Sequence, residues 1–279
     1  MSAPARPART PGTLPDRVRG VALTRRSAVV LSLASLGGLV MLCWPLLLDV
    51  QATDRVDPPF FFAALLPVVL AVVLAEMSEG GIDTRVLAIL GVLSAANALM
   101  RLLSAGTAGI ELVFFLLILA GRVFGPGFGF ALGCTSLLAS ALMTAGVGPW
   151  LPFQMLCAAW VGMGAGLLPR RPSGRAELWM LAGYGVAAAY AYGLLMNLQS
   201  WPFLLGVAVP GQESGLAFDP GAPLLENLRT FGVYTLVTST GSWDTGRAIT
   251  TALAVLLLGS AVLTTLRRAA RRAVVRPDG

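Results

Sequence analysis

Long apolar stretches, most of them 17 to 22 residues in length, recur along the chain between short polar or glycine-rich segments. An α-helix rises ~1.5 Å per residue, so ~20 residues cross the ~30 Å hydrocarbon layer of a bilayer. The pattern therefore predicts an all-α, polytopic membrane helical bundle. Its helices are predicted at about residues 27–48, 59–77, 86–104, 108–121, 127–144, 152–168, 177–198 and 248–266.

The segments outside these runs have a different composition. Residues 1–26 are rich in proline, alanine and arginine, which predicts a disordered basic tail. The first apolar run is followed by Asp49-Val50-Gln51 without a small-residue cleavage site, so we expect it to be retained as a helix. Residues 199–247 are rich in glycine, proline and acids, and their stretch 224–240 is compatible with an interfacial or a re-entrant helix.

The arginines are unevenly distributed between the two sets of connections. If the N-terminus is cytoplasmic, 16 of the 20 arginines lie on the cytoplasmic side, including those of residues 267–279, which are predicted to form a basic C-terminal tail. The outer connections hold Arg55, Arg229 and Arg247 against seven acidic residues. Because cytoplasmic connections carry an excess of basic residues, this pattern predicts eight helices in the cell membrane with both termini in the cytoplasm.

Composition excludes several kinds of chemistry. The chain has no lysine and no histidine, so it carries no P-loop and no histidine-based catalytic or metal site. The three cysteines lie singly in apolar runs, which is typical of buried membrane residues rather than of a disulfide framework. We therefore expect no enzyme, no cofactor and no metal. The formal charge of +6 is an orientation signal, and nucleic acid is not an expected partner.

The most distinctive stretch is residues 120–169, which read AGRVFGPGFGFALGCTSLLASALMTAGVGPWLPFQMLCAAWVGMGAGLLP. Gly125-Pro126-Gly127 predicts a turn between two helices, and Gly146, Gly148 and Pro149 predict a second one. Gly129 and Gly133 share one helix face, where the absence of side chains permits close approach of another helix. The stretch therefore predicts a tightly packed helical hairpin that ends before a basic loop.

This order of features resembles the substrate-binding S component of energy-coupling factor (ECF) transporters. The resemblance covers residues 86–266, which would form a six-helix S-component-like unit, and it leaves residues 27–77 as a two-helix N-terminal membrane extension. It implies a membrane-embedded subunit of an ABC importer that captures a small-molecule substrate, a vitamin or related micronutrient. The implied partners are an ECF T component and two ABC ATPases on separate chains, with the lipid bilayer as surroundings.

The resemblance also implies a docking face for the T component. The family carries alanines at four-residue intervals in its first and third helices, and this chain has small residues there instead. The candidate docking residues are Gly91, Ala95, Gly129 and Gly133.

In S components the substrate binds beneath the outer loops, which correspond here to residues 103–110, 145–151 and 199–247. Polar and aromatic residues near these loops are the candidate substrate-binding residues, namely Asn97, Arg101, Trp150, Gln154, Tyr190, Asn197 and Trp201. A charge at the depth of Arg101 usually faces a cavity or a partner, so an Arg101–Glu111 ion pair is an alternative to substrate binding. Trp150 and Trp201 are equally compatible with an aromatic lid over a flat heterocycle or with belt residues at the headgroups.

Two other functions remain open at this point. A stand-alone secondary transporter usually needs an acid inside the membrane, and Glu76 and Glu111 are the candidates, both near helix ends. A non-transporting membrane scaffold is the second alternative.

Overall fold

The computed structural model describes residues 24–47, 65–66, 68–73, 84–104, 110–203, 216–219 and 221–274. Within these ranges the chain is helical and contains no strand. The helices are α1 (Arg25–Leu42), α2 (Trp44–Leu47), α3 (Thr84–Ser104), α4 (Val113–Phe124), α5 (Pro126–Met143), α6 (Leu151–Leu167), α7 (Arg175–Ser200), α8 (Leu224–Thr235) and α9 (Thr245–Val274). Residues 65–66 and 68–73 are helical too, and Trp201–Phe203 forms a 3₁₀ turn.

The described helices have the length and composition of membrane spans. Five helical stretches are long and apolar enough to cross a bilayer, while α4 and α6 are shorter apolar helices. The prediction of an all-α, polytopic membrane bundle is confirmed. Residues 1–23 of the predicted tail and much of the second predicted span lie outside the described residues, and the last two residues of the predicted tail begin α1.

Helix α4 is the centre of the bundle. All of its residues except Arg122 are buried, and it contacts α3, α5, α6, α7 and α9. Its 12 residues are about 18 Å long, too short to cross the hydrocarbon layer. The span predicted at 108–121 begins and ends later, because hydropathy alone does not separate a buried apolar helix from its apolar flanks.

The chain turns sharply between α4 and α5 at Gly125, whose φ of 102° is a conformation that glycine adopts without strain. Pro126 then occupies the first turn of α5, where a missing N–H leaves no intrahelical bond unmade. These two residues produce the predicted turn.

Glycines bring α5 and α6 together. A Cβ atom added at Gly129 would overlap the backbone of Gly162, and one added at Gly133 would lie 2.5 Å from Ala159 Cα. The close approach predicted for this face is therefore made within the chain. It leaves Gly129 and Gly133 covered by α6, whereas Gly91 and Ala95 are exposed on α3.

The stretch 224–240 is helical and is part of a longer helical run. Helix α8 continues through a π-helical segment, Leu236–Asp244, directly into α9, so that Leu224–Ala273 is one helical run. A π-helix is rare beyond a single turn and frequently accompanies a functional site. Helix α9 also extends through Val274, across part of the segment predicted as a tail.

The N-terminal helix α1 packs on α6 and α7. Trp160 Nε1 in α6 donates a hydrogen bond to Ser35 Oγ in α1 at 2.9 Å. Trp44 Nε1 in α2 donates to the carbonyl of Gln199 at the end of α7, at 3.2 Å. The extension is therefore joined to the bundle by specific hydrogen bonds as well as by apolar contacts.

A charge cluster closes one end of the bundle, with the side chains of Glu177 and Arg122 buried and that of Arg267 partly exposed. Glu177, at the start of α7, accepts hydrogen bonds from Arg122 of α4 at 2.8 Å and from Arg267 of α9 at 2.7 Å. Arg122 also donates to the carbonyls of Leu168 and Pro169. The cluster therefore ties three helices to the loop that follows α6.

Candidate functional site

A polar cavity of about 300 Å³ lies at the opposite end of the bundle from the Glu177 cluster. Residues 177 and 197 of α7 are 20 positions apart, which corresponds to about 30 Å along the helix. Six helical elements and the segment before α4 contribute to the cavity. The described lining residues are Arg101, Glu111, Gln154, Tyr192, Gly193, Met196, Asn197, Tyr234, Thr238, Ser239, Trp243, Asp244 and Arg247.

Arg101 joins three helices on one side of this cavity. Its Nη2 donates to Gln154 Oε1 of α6 at 3.0 Å, and its Nη1 donates to Ser140 Oγ of α5 at 3.1 Å. One turn before Arg101, the fully buried Asn97 donates to Ser136 Oγ at 3.0 Å. Asn97 thus supports the α3–α5 contact beside the cavity without lining it.

A second charged group lies on the other side. Arg247 Nε donates to Glu111 Oε2, and Arg247 Nη1 donates to Asp244 Oδ1 at 3.0 Å. The expected Arg101–Glu111 ion pair is therefore not the arrangement found among the described residues. Helix α9 brings Arg247 to Glu111 across 136 sequence positions, and that pairing has no local sequence signal.

The π-helical segment places Asp244 against α7. Ser239 Oγ donates to Asp244 Oδ2 at 2.8 Å across the wide turn. The carboxylate fits against Gly193, where an added Cβ would overlap all three of its terminal atoms. Asp244 is almost fully buried at this contact. Glycine at 193 is thus what allows the carboxylate to reach Arg247.

Aromatic rings hold the guanidinium of Arg247. Its Cζ lies 4.8 Å from the ring centroid of Tyr192 and 5.5 Å from that of Phe114. The two rings contact each other edge to face at 5.1 Å. A cation between two carboxylates and two ring faces is compensated in a low-dielectric site.

Asn197 contributes an unmatched polar group. Its Nδ2 is buried and has no hydrogen-bond partner among the described residues. A buried amide N–H without a partner is costly, and the large majority of such groups in folded proteins are satisfied. Asn197 is also one of the residues that line the cavity.

The seven candidate substrate-binding residues fall into two sets. Arg101, Gln154 and Asn197 line the cavity, and Asn97 lies behind it. The other three are not among the lining residues. Trp150 is 48% exposed, and Tyr190 is 36% exposed with its hydroxyl 3.0 Å from Thr245 Oγ1.

Trp201 is only 1% exposed, which rules out a belt position at the headgroups. Its ring packs among Phe218, Phe231 and Tyr234, and its Nε1 donates to Leu216 O at 2.7 Å. Trp201 therefore belongs to a separate small core that holds α8 against the end of α7. The aromatic rings that do reach the cavity are Tyr192, Tyr234 and Trp243.

Sequence reasoning missed the part of the site that the π-helical segment supplies, namely Thr238, Ser239, Trp243 and Asp244. The available signal was their position in the third loop region near an apparent outer face. Their convergence depends on a wide helical turn that hydrophobic periodicity does not reveal.

A helical membrane bundle with a polar cavity at one end and no catalytic constellation among its described residues is typical of a protein that binds a solute in the membrane. Comparison with known families agrees with this class. The family described as "ECF transporter, substrate-specific component" matches residues 85–269, which is 185 of the 279 residues. The chain belongs to this family, and it is a transporter component rather than an enzyme. No curated protein and no solved structure shows a significant match to the chain.

This match confirms the resemblance to S components at the level of the family. Members of the family work with a T component and ATPases. The match begins at α3 and leaves α1 and α2 outside it.

Proposed function

We propose that this chain captures a vitamin or related micronutrient in the polar cavity and delivers it to the cytoplasm as part of an ECF-type importer. The cavity carries this proposal, because it lies within the matched region and gathers buried polar groups from helices far apart in sequence. In the proposed site Arg101, Gln154 and Asn197 bind substrate directly, and Asn97 holds α3 in place.

The proposed orientation places the cavity at the outer face of the cell membrane and both termini in the cytoplasm. The arginine distribution supports it, since Arg122, Arg267 and the basic loop after α6 all lie at the end opposite the cavity. A separate T component and two ATPases would supply the energy. Gly91 and Ala95 are the candidate docking residues that remain exposed for a partner helix.

The test has a binding part and a transport part. The purified chain is incubated with a panel of B vitamins, and a shift in its thermal unfolding identifies a ligand. We expect Gln154→Leu and Asn197→Leu each to weaken that ligand's binding about tenfold or more, because each removes a hydrogen bond in a desolvated site. Gln199→Leu is the matched control, since Gln199 is buried on α7 but does not line the cavity.

For transport, the chain is reconstituted in proteoliposomes alone and with its T component and ATPases. Accumulation that requires all partners and ATP is expected. Accumulation by the chain alone on a proton or sodium gradient would favour the secondary transporter instead. Equal binding by the cavity variants and the control would reject the cavity as the capture site.

A further inference from the structure

The side-chain amide of Gln154 is held at one end by Arg101. Arg101 Nη2 donates a hydrogen bond to Gln154 Oε1 at 3.0 Å, from α3 to α6. A guanidinium offers donors and no acceptor, so the end of the amide that faces it must be the oxygen. Because both ends of an amide belong to one planar group, fixing the oxygen also fixes the NH₂ group.

The NH₂ end of this amide remains open. Gln154 Nε2 has no hydrogen-bond partner among the described residues, and it is not enclosed by protein atoms. The backbone N–H of Gln154 donates to the carbonyl of Trp150 at 3.0 Å, which holds the residue in the first turn of α6. Since Gln154 lines the cavity, its N–H groups are donors that a bound molecule can reach.

Two hydroxyl groups of the cavity wall are fixed in the opposite sense. Ser239 Oγ donates to Asp244 Oδ2 at 2.8 Å, and Thr238 Oγ1 donates to the carbonyl of Tyr234 at 2.7 Å. Carboxylate and carbonyl oxygens only accept, so both hydroxyl hydrogens are used within the protein. Toward a bound molecule these two hydroxyls act as acceptors, whereas Gln154 acts as a donor.

From these contacts we infer that Arg101 is a positioning residue for Gln154, and that Gln154 selects the substrate by donating a hydrogen bond to it. The substrate therefore presents an acceptor at this point, either a carbonyl or carboxylate oxygen or a ring nitrogen. This inference rests on the function proposed above and narrows its substrate class.

Selectivity follows from the fixed orientation of the amide. A molecule that presents an N–H group to Gln154 meets a second donor, and the amide cannot offer its oxygen without breaking the bond to Arg101. Two opposed donors in a desolvated site are both left unpaired, which is costly. Asn197 imposes no such choice, because its Nδ2 has no partner among the described residues that would hold the amide in one orientation.

The experiment uses the full chain in nanodiscs and, as the probe, the dialysable small-molecule fraction of yeast extract. After incubation and desalting, retained molecules are released and identified by mass spectrometry. Gln154→Glu replaces the NH₂ group by an oxygen and keeps an acceptor for Arg101, whereas Gln154→Met removes both polar ends without adding a charge. Gln199→Glu is the control, because it makes the same amide-to-acid change at a buried residue that does not line the cavity.

We expect Gln154→Glu to unfold at the temperature of the wild type or above it, since a carboxylate accepts well from a guanidinium. Both Gln154 variants should nevertheless bind about tenfold or more weakly a molecule that the wild type and the control retain. A purely structural role for Gln154 would not separate stability from binding in this way. An analogue of that molecule without the acceptor should bind the wild type more weakly, and Gln154→Met no more weakly than the parent molecule does.

Retention by Gln154→Glu would mean that Gln154 does not act as a donor, and retention by Gln154→Met alone would mean that charge causes the loss. A large loss of stability in Gln154→Glu would contradict the Arg101 contact. Each of these results overturns the inference, and loss of the molecule from Asn197→Leu would still support capture in the cavity. If no retained molecule depends on Gln154 or Asn197, both proposals are overturned. If Gln199→Glu fails to fold, Gln199→Leu replaces it.

Discussion

Replacement of Gly133 by alanine tests the tight α5–α6 contact. The added methyl group would lie 2.5 Å from Ala159 Cα and 2.6 Å from the carbonyl carbon of residue 158. These are backbone atoms of α6, which cannot rotate aside as a side chain can, so the two helices must separate. Overpacking of this kind typically costs about 1–3 kcal/mol.

Gly91→Ala is the matched control, because nothing lies within 4 Å of the position of its added Cβ. Both substitutions gain about 1 kcal/mol of helix propensity, since both glycines are in helix interiors. The difference between the two variants therefore isolates the steric cost. We expect Gly133→Ala to be about 1–3 kcal/mol less stable than Gly91→Ala.

The free energy of unfolding is measured in detergent micelles by denaturant titration, with tryptophan fluorescence as the signal. Equal denaturant slopes for the two variants would justify comparing their midpoints directly. If Gly133→Ala were as stable as Gly91→Ala, the assignment of Gly133 to a close internal contact would be refuted.

Three further outcomes are expected. Gly91→Leu should reduce co-purification with the T component while leaving thermal stability unchanged. The control is Gly183→Leu, at another helical glycine with nothing within 4 Å of an added Cβ, which should change neither property. Equal co-purification of the two variants would argue against α3 as the docking face. Glu177→Gln should lower the free energy of unfolding by up to about 3–5 kcal/mol, because it leaves the guanidinium groups of Arg122 and Arg267 without their carboxylate. The control is Arg175→Gln at an exposed position, measured in the same denaturant titration, and an equal effect of the two substitutions would contradict this prediction. In a cysteine-free background, a cysteine at Ser173 should be inaccessible to a membrane-impermeant reagent applied from outside and one at Ala52 accessible, and the reverse pattern would invert the proposed orientation.

Most of the bundle was predictable because the bilayer imposes length on every helix that crosses it. The glycine pattern of α5 and the turn at Gly125-Pro126 were also readable, since each depends on residues close together in sequence. The resemblance to S components placed Arg101 and Gln154 near the outer loops, and a hydrogen bond between them joins α3 to α6.

Other features depend on contacts that the sequence does not reveal. Glu111 meets Arg247 only because α9 packs beside α4, and the π-helical segment aims Asp244 at Gly193 rather than outward. Trp201 has the sequence position of a belt residue, yet α8 covers it. Each of these contacts involves the last helical run, whose path across the cavity end could not be derived from hydrophobic periodicity.

The two charge clusters have a mechanical consequence when they are considered together. One cluster joins α4, α7 and α9 through Arg122, Glu177 and Arg267. About 30 Å away, the other joins α9 to the segment before α4 and to the π-helical segment, through Arg247, Glu111 and Asp244. Ion pairs at both ends of this group of helices oppose sliding of one helix along another. Displacement of α3 relative to this group of helices would therefore change the distance between Arg101 and Arg247, which both line the cavity.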